Sequence, residues 1–201
     1  MTNVPDVYSY VVARDFGFAP NPFHGSCTLA TCKPGIRKSA KLGDWVVGTG
    51  TAARKRAGYL VFAMTVEEAL TFEQYWSDDR FLQKKPDLQG SKKQAFGDNI
   101  YSRRAGIRGW NQLNSHHSLR DGRPNPQNTE NDTQTNRVLI ATDFVYWGGK
   151  GPKIPARFDI CAKRGHRKNF SEETKTDLIE WIQSSGEHGY LSEPLDWVRT
   201  P

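Results

Sequence analysis

The sequence predicts an α+β fold, a small β-barrel or curved mixed sheet with two or three flanking helices, built as a single domain over residues 1–201. Three observations predict it. Five or six β-branched or aromatic runs of strand length are bounded by Gly, Pro, Asn and Asp. Two or three other segments carry helix caps and apolar spacing of a helix. Strands and helices do not alternate regularly, which excludes a doubly wound parallel sheet. The chain is polar, with 36% hydrophobic residues and a mean hydropathy of −0.70. Six Trp, seven Tyr and ten Phe nevertheless supply the core that a disordered chain lacks.

Taken in order, residues 7–13 read as a first strand. Residues 15–25 hold Gly17, Pro20, Pro22 and Gly25 among Phe16, Phe18 and Phe23, so they form a rigid aromatic loop rather than a regular element. A short strand is expected at 27–32 and a short helix at 34–42, opened by Pro34 and closed by Gly43. A Gly43-Asp44 turn leads into a buried strand at 45–47. Residues 58–66 are the cleanest strand and run into an acidic helical segment at 67–76, where Thr71 and Gln74 have capping-box spacing. Residues 83–97 read as a polar, mobile excursion, and 98–101 as a strand end. Residues 111–136 read as a long polar loop or insertion. Strand character returns at 137–147, broken near Thr142-Asp143, and again at 156–162. The last helix starts at Ser171, with Glu172 and Glu173 at its positive end and Leu178, Ile179 and Ile182 as its apolar stripe. The aromatic tail at 190–197 should pack back on the domain.

The formal charge is +6 and the isoelectric point about 9.3. The cations are segregated: Lys33, Arg37, Lys38, Lys41, Arg54, Lys55 and Arg56 face one acid, Asp44, within residues 33–56. Lys150, Lys153, Arg157, Lys163, Arg164, Arg167 and Lys168 face Asp159 alone. Such segregation makes a face attractive to phosphates, so a nucleotide or nucleic acid, DNA or RNA, is the expected partner. No apolar run reaches membrane-spanning length, and residues 1–10 lack a charged region followed by an apolar run. A cytoplasmic location is expected, with Cys27, Cys32 and Cys161 reduced. His24, Cys27 and Cys32 with Cys161 and His166 could be imagined around zinc, but no second paired motif accompanies them, so no metal is expected. No cofactor is expected either, because no phosphate-binding glycine loop or dinucleotide fingerprint occurs.

Candidate site residues follow from residue chemistry. Asp15, Phe16, Phe18, Asn21 and Phe23 place a carboxylate and an amide inside the aromatic loop. Together with Trp45, Trp76, Asp98, Asn99 and Tyr101 they could stack on a base and read its edge. The alternative is that these polar groups bond their own backbone. Tyr75, Trp110, Tyr146 and Trp147 are further aromatic walls or simply core. Lys33, Arg37, Lys38, Arg54, Arg56 and Arg164 are the candidate phosphate ligands. For catalysis Asp15 and Asp98 could act; Lys38, with Ser39 beside it, and Glu67 are candidates only through the family resemblance given next. His116 and His117 have the right chemistry near neutral pH but sit in the polar loop.

Several of these segments carry a resemblance. The basic helix, Gly43-Asp44 turn and apolar strand resemble the PUA-like superfamily, including EVE and ASCH domains, as does the strand entering Glu67. More specifically, Val12-Ala13-Arg14-Asp15, Gly17-Phe18-Ala19-Pro20-Asn21-Pro22-Phe23, Cys27-Thr28-Leu29-Ala30, Cys32-Lys33-Pro34 and Gly43-Asp44-Trp45-Val46-Val47-Gly48 resemble the type 2 nucleotide-modification-associated domain. Tyr75-Trp76, Asp79-Arg80-Phe81, Gly97-Asp98-Asn99-Ile100-Tyr101 and residues 144–148 extend the likeness over most of the chain outside 111–136. The resemblance implies association with nucleic-acid modification systems. It implies binding of a nucleotide or modified base or, as an alternative, an enzyme acting on a modified nucleoside or nucleotide, for example by amide-type hydrolysis. A protein-interaction module without a ligand is the third possibility.

Overall fold

The computed structural model describes residues 4–103, 106 and 108–197. Its strands are β1 (Val7–Val12), β2 (Cys27–Leu29), β3 (Trp45–Gly50), β4 (Leu60–Thr65), β5 (Glu68–Leu70), β6 (Tyr101–Ser102), β7 (Asn111–Gln112), β8 (Val138–Ala141), β9 (Phe144–Tyr146), β10 (His166–Arg167) and β11 (Gly189–Tyr190). Its α-helices are α1 (Pro34–Ser39), α2 (Phe72–Ser77), α3 (Lys92–Ala95), α4 (Pro126–Asp132) and α5 (Glu172–Gln183). The fold is mixed α+β, and among the described residues its sheets are open rather than closed into a barrel. Contacts divide the chain into two compact units, residues 1–16, 40–67 and 141–201, and residues 17–39 and 68–140.

The first unit is built on a six-stranded sheet in the order β10-β1-β3-β4-β9-β11. The β1–β3 and β9–β11 pairs are parallel; β1–β10, β3–β4 and β4–β9 are antiparallel. Alternation assigns Val7, Trp45, Val47, Ala63 and Val145 to one buried cluster with Leu178 and Ile182 of α5. Burying each aliphatic side chain there stabilises by about 1.5–3 kcal/mol. Helix α5 starts where its cap dictates, with the Thr174 N–H donating to Ser171 Oγ at 3.1 Å. The Gly43-Asp44 turn is structural: Asp44 accepts from the Asp6 N–H at 2.9 Å and from the Lys41 N–H at 2.8 Å. Gly48 is required by packing, since a Cβ there would lie 2.3 Å from the Phe62 ring that crosses it in the next strand. Residues 156–162 do not form the expected strand. Pro155 opens a 3-10 turn over Ala156–Phe158, and Asp159, in the left-handed region at φ 39°, closes it.

The second unit packs Phe18, Ala30, Phe72, Tyr75, Phe81, Ile100, Tyr101, Val138 and Ile140 into one cluster. Its three-stranded sheet has the order β2-β8-β5, and β6 pairs with β7. The segment read as a helix from residue 67 is β5, paired with β8, and the helix begins only at the Thr71–Gln74 capping box. Residues 111–136 contain β7 and α4 rather than loop alone. Asn125 caps α4, and Pro126 occupies its first turn, where its missing N–H costs nothing.

Candidate functional site

Asp15 and Asn21 of the aromatic loop, and Asp98, are bonded inside the units that contain them. In the first unit, Asp15 is 3% exposed and accepts from Tyr146 Oη and from the Leu195 N–H at 3.0 Å. The Phe16 carbonyl accepts from Trp197 Nε1 at 2.9 Å, and Trp45 lies in the core. In the second unit Phe18 and Phe23 are buried. Asn21 donates to the Gly17 and Phe96 carbonyls, and its Oδ1 accepts from Lys84 Nζ at 2.7 Å. Lys84 donates as well to the Asn21 and Ser26 carbonyls at 3.1 and 3.0 Å, so each of its three protons has an acceptor. Burial pulls this ammonium down to about 8, opposed chiefly by the charge of Asp98. Asp98 accepts from Tyr75 Oη and Thr28 Oγ1, both at 2.7 Å, and burial raises its pKa against the pull of Lys84. Asn99 donates to the Tyr75 and Phe81 carbonyls. Trp76 is half-buried beneath the Lys85 ammonium, 4.1 Å from its ring. The predicted base-reading groups are thus divided between the two units, and most are bonded to protein.

A second arrangement in this unit joins residues that the sequence leaves far apart. His117 Nδ1 lies 2.7 Å from Asp132 Oδ2, and His117 Nε2 lies 3.5 Å from Cys32 Sγ. Asp132, fully buried at the end of α4, also accepts from the Cys32 N–H at 2.7 Å and from Tyr101 Oη at 2.8 Å. Gln112 Nε2 donates to the same Tyr101 oxygen at 2.9 Å. Cys32 and His117 are half-buried and reach solvent. Cys32 and Lys33 are consecutive non-glycine residues in the left-handed region, at φ 56° and 40°. Each such residue stores about 1–3 kcal/mol of strain, which surrounding bonds must hold. Arg37 supplies them: its Nε donates to the Cys32 carbonyl at 2.8 Å. Its terminal nitrogens donate to the carbonyl of Asp132, the last residue of α4, and to those of Thr135 and Arg137 in the chain that follows.

The electrostatics follow from these contacts. Burial opposes a charge on His117, but the bonds to Asp132 and Cys32 outweigh it and lift the imidazole to about 9. Burial lowers Arg37 to about 10, with Asp132 as the main opposing charge. One sulfur, one nitrogen and one oxygen here lie within 4.8 Å of one another, a donor set that suits zinc. The bonding favours a different use. The carboxylate holds the ring nitrogen opposite the one facing sulfur, and its other oxygen holds the Cys32 backbone. In that order, thiol–imidazole–carboxylate, the buried carboxylate orients the imidazole toward the thiol.

The predicted phosphate ligands fall into three kinds. Arg37 is buried and spent on carbonyls. Arg54 pairs with Asp196, and Arg56 donates to the Gly151 carbonyl at 2.6 Å while its guanidinium lies 3.9 Å from the Tyr59 ring centre. Lys38 and Arg164 are exposed, and Lys33 is half-buried. Glu67 is exposed and accepts from Thr142 Oγ1 at 2.7 Å and the Asp143 N–H at 3.1 Å, so it fixes the turn between β8 and β9. At the edge of the first unit's sheet, the residues from Cys161 to Phe170 include Lys163, Arg164, His166, Arg167 and Lys168 and no acid. His166, Arg167, Lys168 and Asn169 line a concavity of about 400 Å³ there.

The model of the nucleotide modification associated domain 2 family matches residues 4–201. The chain belongs to that family. No curated protein and no solved structure gives a match. Membership associates the chain with nucleotide modification and leaves its chemistry to the residues themselves. Within this nucleotide modification associated domain, the sequence offered Cys32 as a reduced thiol or imagined zinc ligand and His117 as a loop histidine with acid–base chemistry; nothing joined the two, and Asp132 was missed. The one signal for Asp132 was Asn125-Pro126, a helix start that would have ordered the segment carrying it.

Proposed function

We propose that the chain engages a nucleotide or a modified base of DNA or RNA within a nucleic-acid modification system. The observation that carries this reading is the basic run on the edge strand β10 and its flanks, in which Arg167 pairs with Asp159 and Lys163, Arg164 and Lys168 are exposed, in a chain of this family. The concavity lined by residues 166–169 lies beside them. Cations that neutralise backbone phosphates release counterions, so affinity should fall steeply with salt. Binding to short single- and double-stranded DNA and RNA, measured by anisotropy between about 50 and 300 mM salt, tests it. Charge reversal at Lys163, Arg164 and Lys168 should flatten the slope of log K against log salt by about 2–3 on a duplex. An unchanged slope, or no binding to any of the four, refutes the reading. A second reading, that the ligand is also transformed, is favoured by the Cys32–His117–Asp132 chain. A PUA-like relationship, proposed on the sequence likeness, is compatible with either.

A further inference from the structure

We infer that Cys32, His117 and Asp132 form a thiol-nucleophile site that cleaves an amide or ester carbonyl, with Cys32 and His117 as the catalytic residues and Asp132 and Arg37 as positioning residues. Four observations carry it. The imidazole lies between sulfur and carboxylate, 3.5 and 2.7 Å away through opposite nitrogens, as required for one nitrogen to exchange a proton with Sγ while the other is held. The carboxylate is fully buried, whereas Cys32 is half-buried and the His117 side chain is 14% exposed, so the orienting group lies deeper than the pair it orients. Both backbone groups of Cys32 are pinned by side chains, its N–H by Asp132 and its carbonyl by Arg37, in a left-handed conformation that an unsupported cysteine would leave. These bonds link α4 and the loop of residues 113–118 to the turn before α1, which sequence separations of 85 and 15 residues do not otherwise bring together.

The step balances without a redox partner. The thiolate of the Cys32–His117 ion pair adds to the carbonyl carbon, forming a C–S bond while the C=O π pair moves to oxygen. Collapse restores the carbonyl and breaks the C–N or C–O bond, and the leaving group takes the Nε2 proton of His117. Water then gives a proton to Nε2 and adds to the thioester carbon. The C–S bond breaks, the ion pair is restored, and a carboxylic acid departs. The net change is hydrolysis. Placing the carbonyl on a nucleotide rests on the proposal of the preceding subsection; the thiol chemistry does not.

The test uses the full chain and two probes that contain no nucleotide, so its failure is separate from failure of nucleotide binding. Iodoacetamide labelling is mapped by peptide mass spectrometry near pH 7, with half-buried Cys161 as internal reference. p-Nitrophenyl acetate reports acyl transfer. Cys32 should label at least about tenfold faster than Cys161. It should also give a burst of p-nitrophenol with a transient acetyl group on Cys32. His117→Gln should abolish both, and Cys32→Ser should abolish the burst. The comparison with Cys161 in the unmodified protein needs no variant, so poor folding of His117→Gln leaves the test intact. Labelling of Cys32 no faster than Cys161, an advantage that survives in folded His117→Gln, or stoichiometric zinc that shields Cys32 and is lost in Cys32→Ser would each overturn the inference.

Discussion

Raising the pH through the range where His117 titrates should unfold the protein more easily, by an amount the Asp132 contact sets. In the folded chain the imidazole holds its proton to about 9, against 6.5 for an ordinary histidine. Below 6.5 the ring is charged whether the chain is folded or not, and the full benefit of the pair is present. Between 6.5 and 9 only the folded state keeps the proton, so stability falls as pH rises; above 9 the benefit is gone. The interval corresponds to about 3 kcal/mol at most. Solvent screens little of it, because the His117 side chain is 14% exposed and Asp132 is fully buried. The groups facing the ring are Cys32 Sγ and Asp132, with the Phe18 and His116 rings packed beside it. Urea unfolding at about pH 6 and pH 9.5, in the unmodified protein and in His117→Gln, isolates its share. The unmodified protein should lose about 2–3 kcal/mol more than the variant, a midpoint shift on the order of 1 M urea. Parallel pH dependence in the two proteins would refute the assignment of an imidazolium–carboxylate pair.

Three further outcomes follow from the packing. Gly48→Ala places a methyl 2.3 Å from the Phe62 ring and 2.8 Å from Val12, and should cost about 1–3 kcal/mol in thermal unfolding. Combining it with Phe62→Leu should recover part of that loss. Lys84→Met takes the ammonium from the Ser26 carbonyl, while the Asn21 carbonyl keeps the Thr28 N–H, and it removes the charge that offsets the burial of Asp98, a loss of about 3–5 kcal/mol in denaturant titration. Arg37→Lys keeps the charge but not the fork that spans Cys32 and the end of α4. It should lower the labelling rate of Cys32 while leaving that of Cys161 unchanged.

Much of the sheet was legible because its sequence signals are local. Strands β1, β3 and β4 are apolar runs bounded by breakers, and α5 carries its own cap and stripe. Helix α4 was hidden because it has no apolar period: residues 126–132 are Pro, Gln, Asn, Thr, Glu, Asn and Asp, and the helix is held by its cap and by the buried bonds of Asp132. Cation chemistry misled for a related reason. Composition cannot distinguish Arg37, buried among carbonyls, from Arg164, exposed beside the edge strand, since both read as positive charge. The aromatic loop was recognisable as rigid. Which way its groups bond depends on partners such as Lys84, separated from Asn21 by 63 positions, and no spacing rule supplies that contact.

One measurement addresses both nucleotide engagement and chemistry at Cys32. The unmodified protein and Cys32→Ser are incubated with nuclease digests of modified and unmodified DNA and RNA. Mass spectrometry follows retained ligand, change in nucleotide mass and adducts on residue 32. Both proteins should retain a modified nucleotide, and only the unmodified protein should change its mass, with an acyl group passing through Cys32. A mass change undiminished in Cys32→Ser, or neither retention nor change with any digest, would contradict the proposal.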